Sequence, residues 1–220
     1  MSAKLIVALD CDTFDQAKKL IDTLCPKVKI FKVGVQLFTA CGPKIVEYIN
    51  KKKAEVFLDL KFHDIPNTVA NAVRSATHLS VKMLTLHISG GADMLKAAVR
   101  SATEEASRFK MPRPLLIGVT ILTSQEASQD DVFRLANMGL NCGIDGVVCS
   151  AKETAFLREH IKKDFLIVTP GIRPNKAAAD DQKRTATAKE ASSAGSDFLV
   201  VGRPIVEAKD PLAALEEFTA

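Results

Sequence analysis

Eight short runs rich in aliphatic and β-branched residues alternate with longer amphipathic stretches along the 220 residues of this chain. The pattern predicts an α/β protein folded as a (β/α)8 (TIM) barrel. Three observations carry the prediction. Successive runs begin roughly one strand–helix unit apart. The length suits a single barrel domain over residues 1–220, because barrels of this size fold as one unit. No Gly-x-Gly-x-x-Gly follows the first run, so the fingerprint of the main rival, a doubly wound open sheet, is missing.

The strands are expected, in order, at Lys4 to Asp10, Lys29 to Val33, Glu55 to Lys61, Met83 to His87, Leu115 to Ile121, Gly146 to Cys149, Leu166 to Thr169 and Phe198 to Val201. Helical stretches fall between them at Phe14 to Leu24, Thr68 to Leu79, Ala92 to Phe109 and Asp131 to Asn141. The last places Val132, Leu135, Ala136 and Leu140 at helical spacing. Pro66 is well placed to open a helix at its first position. The most irregular region, Pro170 to Arg184, joins the seventh and eighth strands and is where a lid is expected.

Composition narrows the function. Apolar residues make up 47% of the chain, ample for a core, while the absence of Trp and the single Tyr48 leave few platforms for stacking bases. The net charge of +4 is well mixed, and Lys51-Lys52-Lys53 reads as the solvated end of a helix. No nucleic-acid partner is expected. Cys11, Cys25, Cys41, Cys142 and Cys149 form no Cys-x-x-Cys pair, which argues against a zinc site or disulfide framework and for a reducing cytoplasm. The apolar run near the start is too short for a signal peptide, and no stretch reaches membrane-spanning length.

The most informative segment is Asp59-Leu60-Lys61-Phe62-His63-Asp64-Ile65-Pro66-Asn67-Thr68. In a strand that continues through Lys61, Asp59 and Lys61 share a face. Burying both charges costs several kcal/mol per ion unless they are paired, so the pattern suggests chemistry, with a structural ion pair as the alternative. Residues at the strand C-terminal ends of a barrel converge on one mouth. That mouth collects Asp10, Lys32, Asp59, Lys61, His87, the Thr123-Ser124 pair, Arg173 and Arg203. Asp10 and Lys32 alone fit barrel-end packing as well as catalysis. The Gly202-Arg203 step, where a strand ends and a helix begins, has the makings of a phosphate site.

Taken together these motifs resemble the orotidine 5′-monophosphate decarboxylase family. The resemblance rests on Asp59-x-Lys61-x-x-Asp64-Ile65-Pro66-Asn67-Thr68. It extends through Val7-Ala8-Leu9-Asp10, Phe31-Lys32-Val33-Gly34, His87-Ile88-Ser89-Gly90-Gly91 and Gly118-Val119-Thr120-Ile121-Leu122-Thr123-Ser124. It continues in Thr169-Pro170-Gly171-Ile172-Arg173-Pro174, Asp181-Gln182 and Val201-Gly202-Arg203-Pro204-Ile205.

The resemblance implies a monofunctional, cofactor-free and metal-free carboxy-lyase that converts orotidine 5′-monophosphate to UMP and CO2. It implies that the ammonium of Lys61 stabilises and then protonates an in-plane carbanion at C6, with Asp59 beside the substrate carboxylate. Lys32 completes the network, and Lys32 and Asp10 hold the ribose. Thr123 would read the pyrimidine edge, with Ser124 as its competitor. Gln182 and Arg203, with the backbone around Gly202, would grip the phosphate, and Arg173 would also bind substrate. It further implies a homodimer with shared sites, so that Asp64, Ile65 and Thr68 serve the neighbouring subunit.

Two rivals are a Mg2+-dependent sugar-phosphate decarboxylase or aldolase of the same suprafamily, whose motif lacks Ile-Pro-x-Thr, and a silent barrel that binds a nucleotide phosphate. His87 is expected to be a hydrogen-bonded strand-end residue. His63 is assigned no chemistry, His78 and His160 are expected on exposed helix faces, and Cys149 in the core.

Overall fold

Alternation of side chains along each strand sorts the interior of this protein into two cores. The computed structural model describes residues 3–122, 125–126, 128–174 and 185–218. Its strands are β1 (Lys4–Ala8), β2 (Ile30–Gly34), β3 (Glu55–Phe62), β4 (Met83–His87), β5 (Leu115–Val119), β6 (Gly146–Val148), β7 (Leu166–Thr169) and β8 (Phe198–Val201). All pair in parallel and in sequence order. β1 returns to β8 from Lys4↔Phe198 to Val7↔Val201, which closes the barrel and excludes the open sheet.

The helices are α1 (Phe14–Leu24), α2 (Val35–Cys41), α3 (Lys44–Lys51), α4 (Pro66–His78), α5 (Ala92–Phe109), α6 (Gln129–Asn141), α7 (Ala151–His160), α8 (Ala188–Ala194), α9 (Arg203–Val206) and α10 (Pro211–Glu216). Ile6, Ile30, Phe57, Met83, Ile117 and Val200 point inward and fill the barrel. Their strand neighbours Val7, Phe31, Val56, Leu58, Leu84 and Leu116 point outward and pack in the core shared with the helices.

Strand ends differ from the expected ones by a residue or two. β1 stops at Ala8 rather than Asp10, although the Leu9 N–H still donates to Lys32 O at 3.0 Å. β5 stops at Val119 rather than Ile121, where the Thr120 hydroxyl donates to Val148 O. β3 runs one residue past Lys61. α4 opens on Pro66, whose fixed φ and missing N–H suit a first helical turn.

Two matching ion pairs pin the opposite, N-terminal rim. Arg113 donates to both oxygens of Asp145, which also accepts the Leu116 N–H at 2.7 Å. Two strands on, Arg158 donates to Asp197 and to the carbonyls of Gly195 and Phe165, while Asp197 accepts the Ile167 N–H at 2.6 Å. Each carboxylate ties a helix–strand turn to the strand beside it. Removing Arg158 leaves several part-buried acceptors without their donor. We expect Arg158→Met to lower unfolding free energy in urea by about 1–3 kcal/mol, whereas Lys27→Met, which breaks an exposed pair with Glu216, leaves it near wild type.

Candidate active site

The inward parity that fills the barrel also builds its mouth. On β3 it runs from Phe57 to Asp59, with Lys61 beyond them at the rim, and β8 continues from Val200 to Gly202. Apolar side chains give way to charged ones at the C-terminal rim. The result is a cleft of about 220 Å³ with Phe57, Val148, Val168 and Val200 beneath and Asp10, Lys32, Asp59, Lys61, Arg173 and Arg203 around it.

Four of these charges form one alternating row. Lys32 Nζ lies 3.3 Å from Asp10 Oδ1 and 3.5 Å from Asp59 Oδ2, and Lys61 Nζ lies 2.9 Å from Asp59 Oδ1. Asp59, only 8% exposed, sits between the two ammoniums. Burial pushes its carboxyl pKa up, but the charges of Lys32 and Lys61, with hydrogen bonds from Lys61 and Thr85, outweigh burial and hold it below its ordinary value. Glycines flank the row closely. A Cβ on Gly202 would stand 2.9 Å from Asp10 Oδ2, and one on Gly34 3.1 Å from Lys32 Nζ.

Asp59 and Lys61 do share a face, but not by regular alternation. From Leu58↔Leu84 to Phe62↔Leu86, β3 advances four residues while β4 advances two. Inside this bulge Lys61 takes φ +52°, a left-handed conformation that costs a non-glycine residue about 1–3 kcal/mol. Its N–H donates to Thr85 Oγ1 at 2.8 Å, and the same hydroxyl donates to Asp59 Oδ1 at 3.0 Å. The sequence reading passed over Thr85. The available signal was a lone hydroxyl at an inward position of the apolar run Met83-Leu84-Thr85-Leu86.

Strand β8 gives way to α9 at Gly202-Arg203, as the sequence predicts. The helix is a single turn, Pro204 offers no N–H, and the Ile205 N–H is taken by Gly202 O. The Arg203 guanidinium is therefore the stronger anion-binding group there. Arg173 lines the same cleft. Its backbone is pinned by the Ile172↔Ala186 bridge, with the Arg173 N–H donating to Ala186 O at 2.9 Å. Thr123, Ser124, Gln182 and residues 175–184 of the expected lid lie outside the described residues.

Asp64, Ile65 and Thr68 do not line their own chain's cleft. All three are exposed at the start of α4, Ile65 by 67%, and Asp64 Oδ1 accepts the N–H of Ile65. His87 departs from its expected role. Among the described residues it makes no side-chain hydrogen bond, and its ring lies beside His63 at 5.3 Å between centroids. Burial first, then the neighbouring His63 and Lys61, lower its pKa against the pull of Asp59. His78 is exposed on its helix as expected but is also paired with the buried Glu105 at 2.7 Å. His160 is exposed and Cys149 is buried, as predicted. Near the row, burial and then Asp10 and Asp12 push the Cys11 thiol up to about 11, which keeps it protonated.

Among the described residues, no group of three or more His, Cys, Asp or Glu side chains converges as a metal-ligand set, and no helix is long and apolar enough to cross a membrane.

The chain is similar to proteins of one known family. A profile of the Orotidine 5'-phosphate decarboxylase / HUMPS family matches residues 3–218. The chain is 47% identical to the Orotidine 5'-phosphate decarboxylase of Saccharophagus degradans, over 99% of this chain and 94% of that protein. It is 46% identical to that of Vibrio cholerae, over 99% and 97%. The crystal structure of Orotidine 5'-phosphate decarboxylase from Lactobacillus acidophilus superposes with a TM-score of 0.84 at 37% identity, covering 100% of both chains.

Because folded Asp59 binds its proton less tightly than the unfolded chain does, its contribution is complete above the ordinary carboxylate range near pH 4 and is lost as pH falls through its lower folded value. Unfolding free energy should therefore fall more steeply with acidification in the wild type than in Asp59→Asn. Parallel curves in urea titrations between pH 7 and 3 would remove Asp59 from this role.

Proposed function

The chain belongs to the Orotidine 5'-phosphate decarboxylase / HUMPS family, and from that premise we propose that it converts orotidine 5′-monophosphate to UMP and CO2. The observation that carries this reading is the Asp10–Lys32–Asp59–Lys61 row standing over an apolar floor.

The reaction breaks the C6–carboxylate bond and leaves the electron pair on C6, in the ring plane and outside the π system. An anion with no electron sink needs charge already in place. The ammonium of Lys61, 2.9 Å from Asp59, stabilises the developing pair and then transfers a proton from Nζ to C6. Fixed dipoles and charges need no reorganisation during the reaction, which is the advantage of locking this ammonium in advance. Asp59 stands where the departing carboxylate would sit, and the approach of two like charges raises the energy of the bound substrate. Lys32 keeps Asp59 ionised and, with Asp10, meets the ribose hydroxyls. Arg203 and the backbone at Gly202 hold the phosphate, joined by Arg173 and Gln182, and Thr123 reads the base. Binding energy from the remote phosphate is then available to order the reacting end.

Asp64, Ile65 and Thr68 belong, in this proposal, to the site of a second subunit in a homodimer. Support comes from their exposure beside the mouth and their absence from their own cleft, together with the exposed Val35 at the end of β2. A cytoplasmic location rests on the sequence pattern of the cysteines, an odd number with no Cys-x-x-Cys pair. The Mg2+-dependent sugar-phosphate alternative is not favoured by the relatives named above.

A spectrophotometric assay tests the reaction. Orotidine 5′-monophosphate absorbance should fall on adding protein and fall equally in EDTA. Activity that disappears with the chelator would instead favour the metal-dependent chemistry. Lys61→Ala should fold normally and lose at least roughly 10³-fold in turnover. Mixing inactive Lys61→Ala with inactive Asp64→Ala should restore activity as subunits exchange, because one hybrid site is intact. No recovery despite measured exchange would show that the site is not shared.

A further inference from the structure

Thr85 is fully buried in β4, an otherwise apolar strand up to His87. Its Oγ1 lies 3.0 Å from Asp59 Oδ1 and 2.8 Å from the backbone nitrogen of Lys61. An ionised carboxylate only accepts and a peptide N–H only donates. The hydroxyl therefore donates to Asp59 and accepts from Lys61, and its proton has one place to point. One small side chain holds the carboxylate through its oxygen and the lysine through its backbone.

The position on β4 is particular. Thr85 is the residue that faces the bulge, between the paired Leu84 and Leu86. A bulge takes a strand residue out of the regular ladder, and its N–H needs another partner. The hydroxyl supplies that partner at the residue whose left-handed φ turns its side chain back toward Asp59.

We propose that Thr85 is a positioning residue for the decarboxylation, its hydroxyl fixing both the backbone that aims Lys61 and the carboxylate rotamer that Lys61 and Lys32 share. This rests on the reaction proposed above. Without the hydroxyl, substrate still meets Asp10, Lys32 and Arg203, so binding survives while the ammonium is no longer held in line. The carboxylate also loses a hydrogen bond that favours its ionised form. The titratable groups facing that carboxylate are Lys32 from β2, Lys61 from β3 and His87 one inward position further along β4. The acid limb of the rate profile should consequently move to higher pH.

The test compares Thr85→Val, which keeps the volume and removes both bonds, with Thr85→Ser, which keeps the hydroxyl. The expected result for Thr85→Val is a kcat lower by roughly 10- to 100-fold with KM nearly unchanged. Its acid limb should lie at higher pH, and the Lys61 amide should exchange its hydrogen faster in ¹⁵N spectra. Thr85→Ser should restore kcat and amide protection to near wild type. A wild-type kcat in Thr85→Val, or an equal loss in both variants, overturns the proposal. If Thr85→Val does not fold, Thr85→Cys carries the test, because its thiol is a weak donor and acceptor. Its kcat should fall as well, and a wild-type kcat there overturns the proposal. If the wild type does not turn over orotidine 5′-monophosphate, the reaction reading fails, and Lys61 amide exchange still decides whether Thr85 positions that residue.

Discussion

A carboxylate held between two ammoniums is the constraint on which the rest of this mouth depends. Asp59 is almost entirely out of water, and an ion so placed costs several kcal/mol unless its partners are close and its oxygens are satisfied. Here Lys61 and Thr85 bond one oxygen and Lys32 faces the other. Remove one partner and the remaining charges lose their reason to stay. Features around the row follow from this requirement. Glycine stands at positions 34 and 202, where a Cβ would crowd Lys32 or Asp10. The β3–β4 ladder gives up its register at the point where the lysine must turn. The cost is local, while the charges are ready before any substrate arrives.

The barrel supplies the rigidity this arrangement needs. Stability is concentrated in the two layers of apolar side chains and at the opposite rim, where Arg113 and Arg158 staple neighbouring strands. The mouth can then carry strain and like charges without deciding whether the chain folds. The same parity places Phe57 under Asp59 and Val200 under Gly202, so an apolar floor lies directly beneath the charges. A low-dielectric floor strengthens every interaction above it, including, in the proposed reaction, that of the ammonium with a developing anion.

Much of this was legible in the sequence because period-two alternation and helix spacing survive into the fold. The eight runs, Pro66 as a helix opener, and Lys32 and Asp59 on one rim follow from spacing, whereas Lys61 reaches the same rim through the bulge. What spacing cannot carry is a change of register. The bulge between Leu58 and Phe62 is a property of two strands together, and neither run records it. Thr85 escaped notice for the same reason, since its value lies in facing an irregularity on another strand. His87 was expected to bond like an isolated strand-end imidazole, and the fold instead sets it against His63 from the loop after β3. Asp64, Ile65 and Thr68 carry a role only through the family resemblance, and in the fold all three are exposed.

The central claim is that the ammonium of Lys61 is aimed at a reacting carbon before chemistry begins. A crystal structure with bound UMP tests it most directly. The account predicts Lys61 Nζ within about 3–3.5 Å of C6, still bonded to Asp59 and with the Lys61 N–H still on Thr85. An ammonium turned away from the pyrimidine, or a C6 bound at the far wall of the cleft, would contradict it.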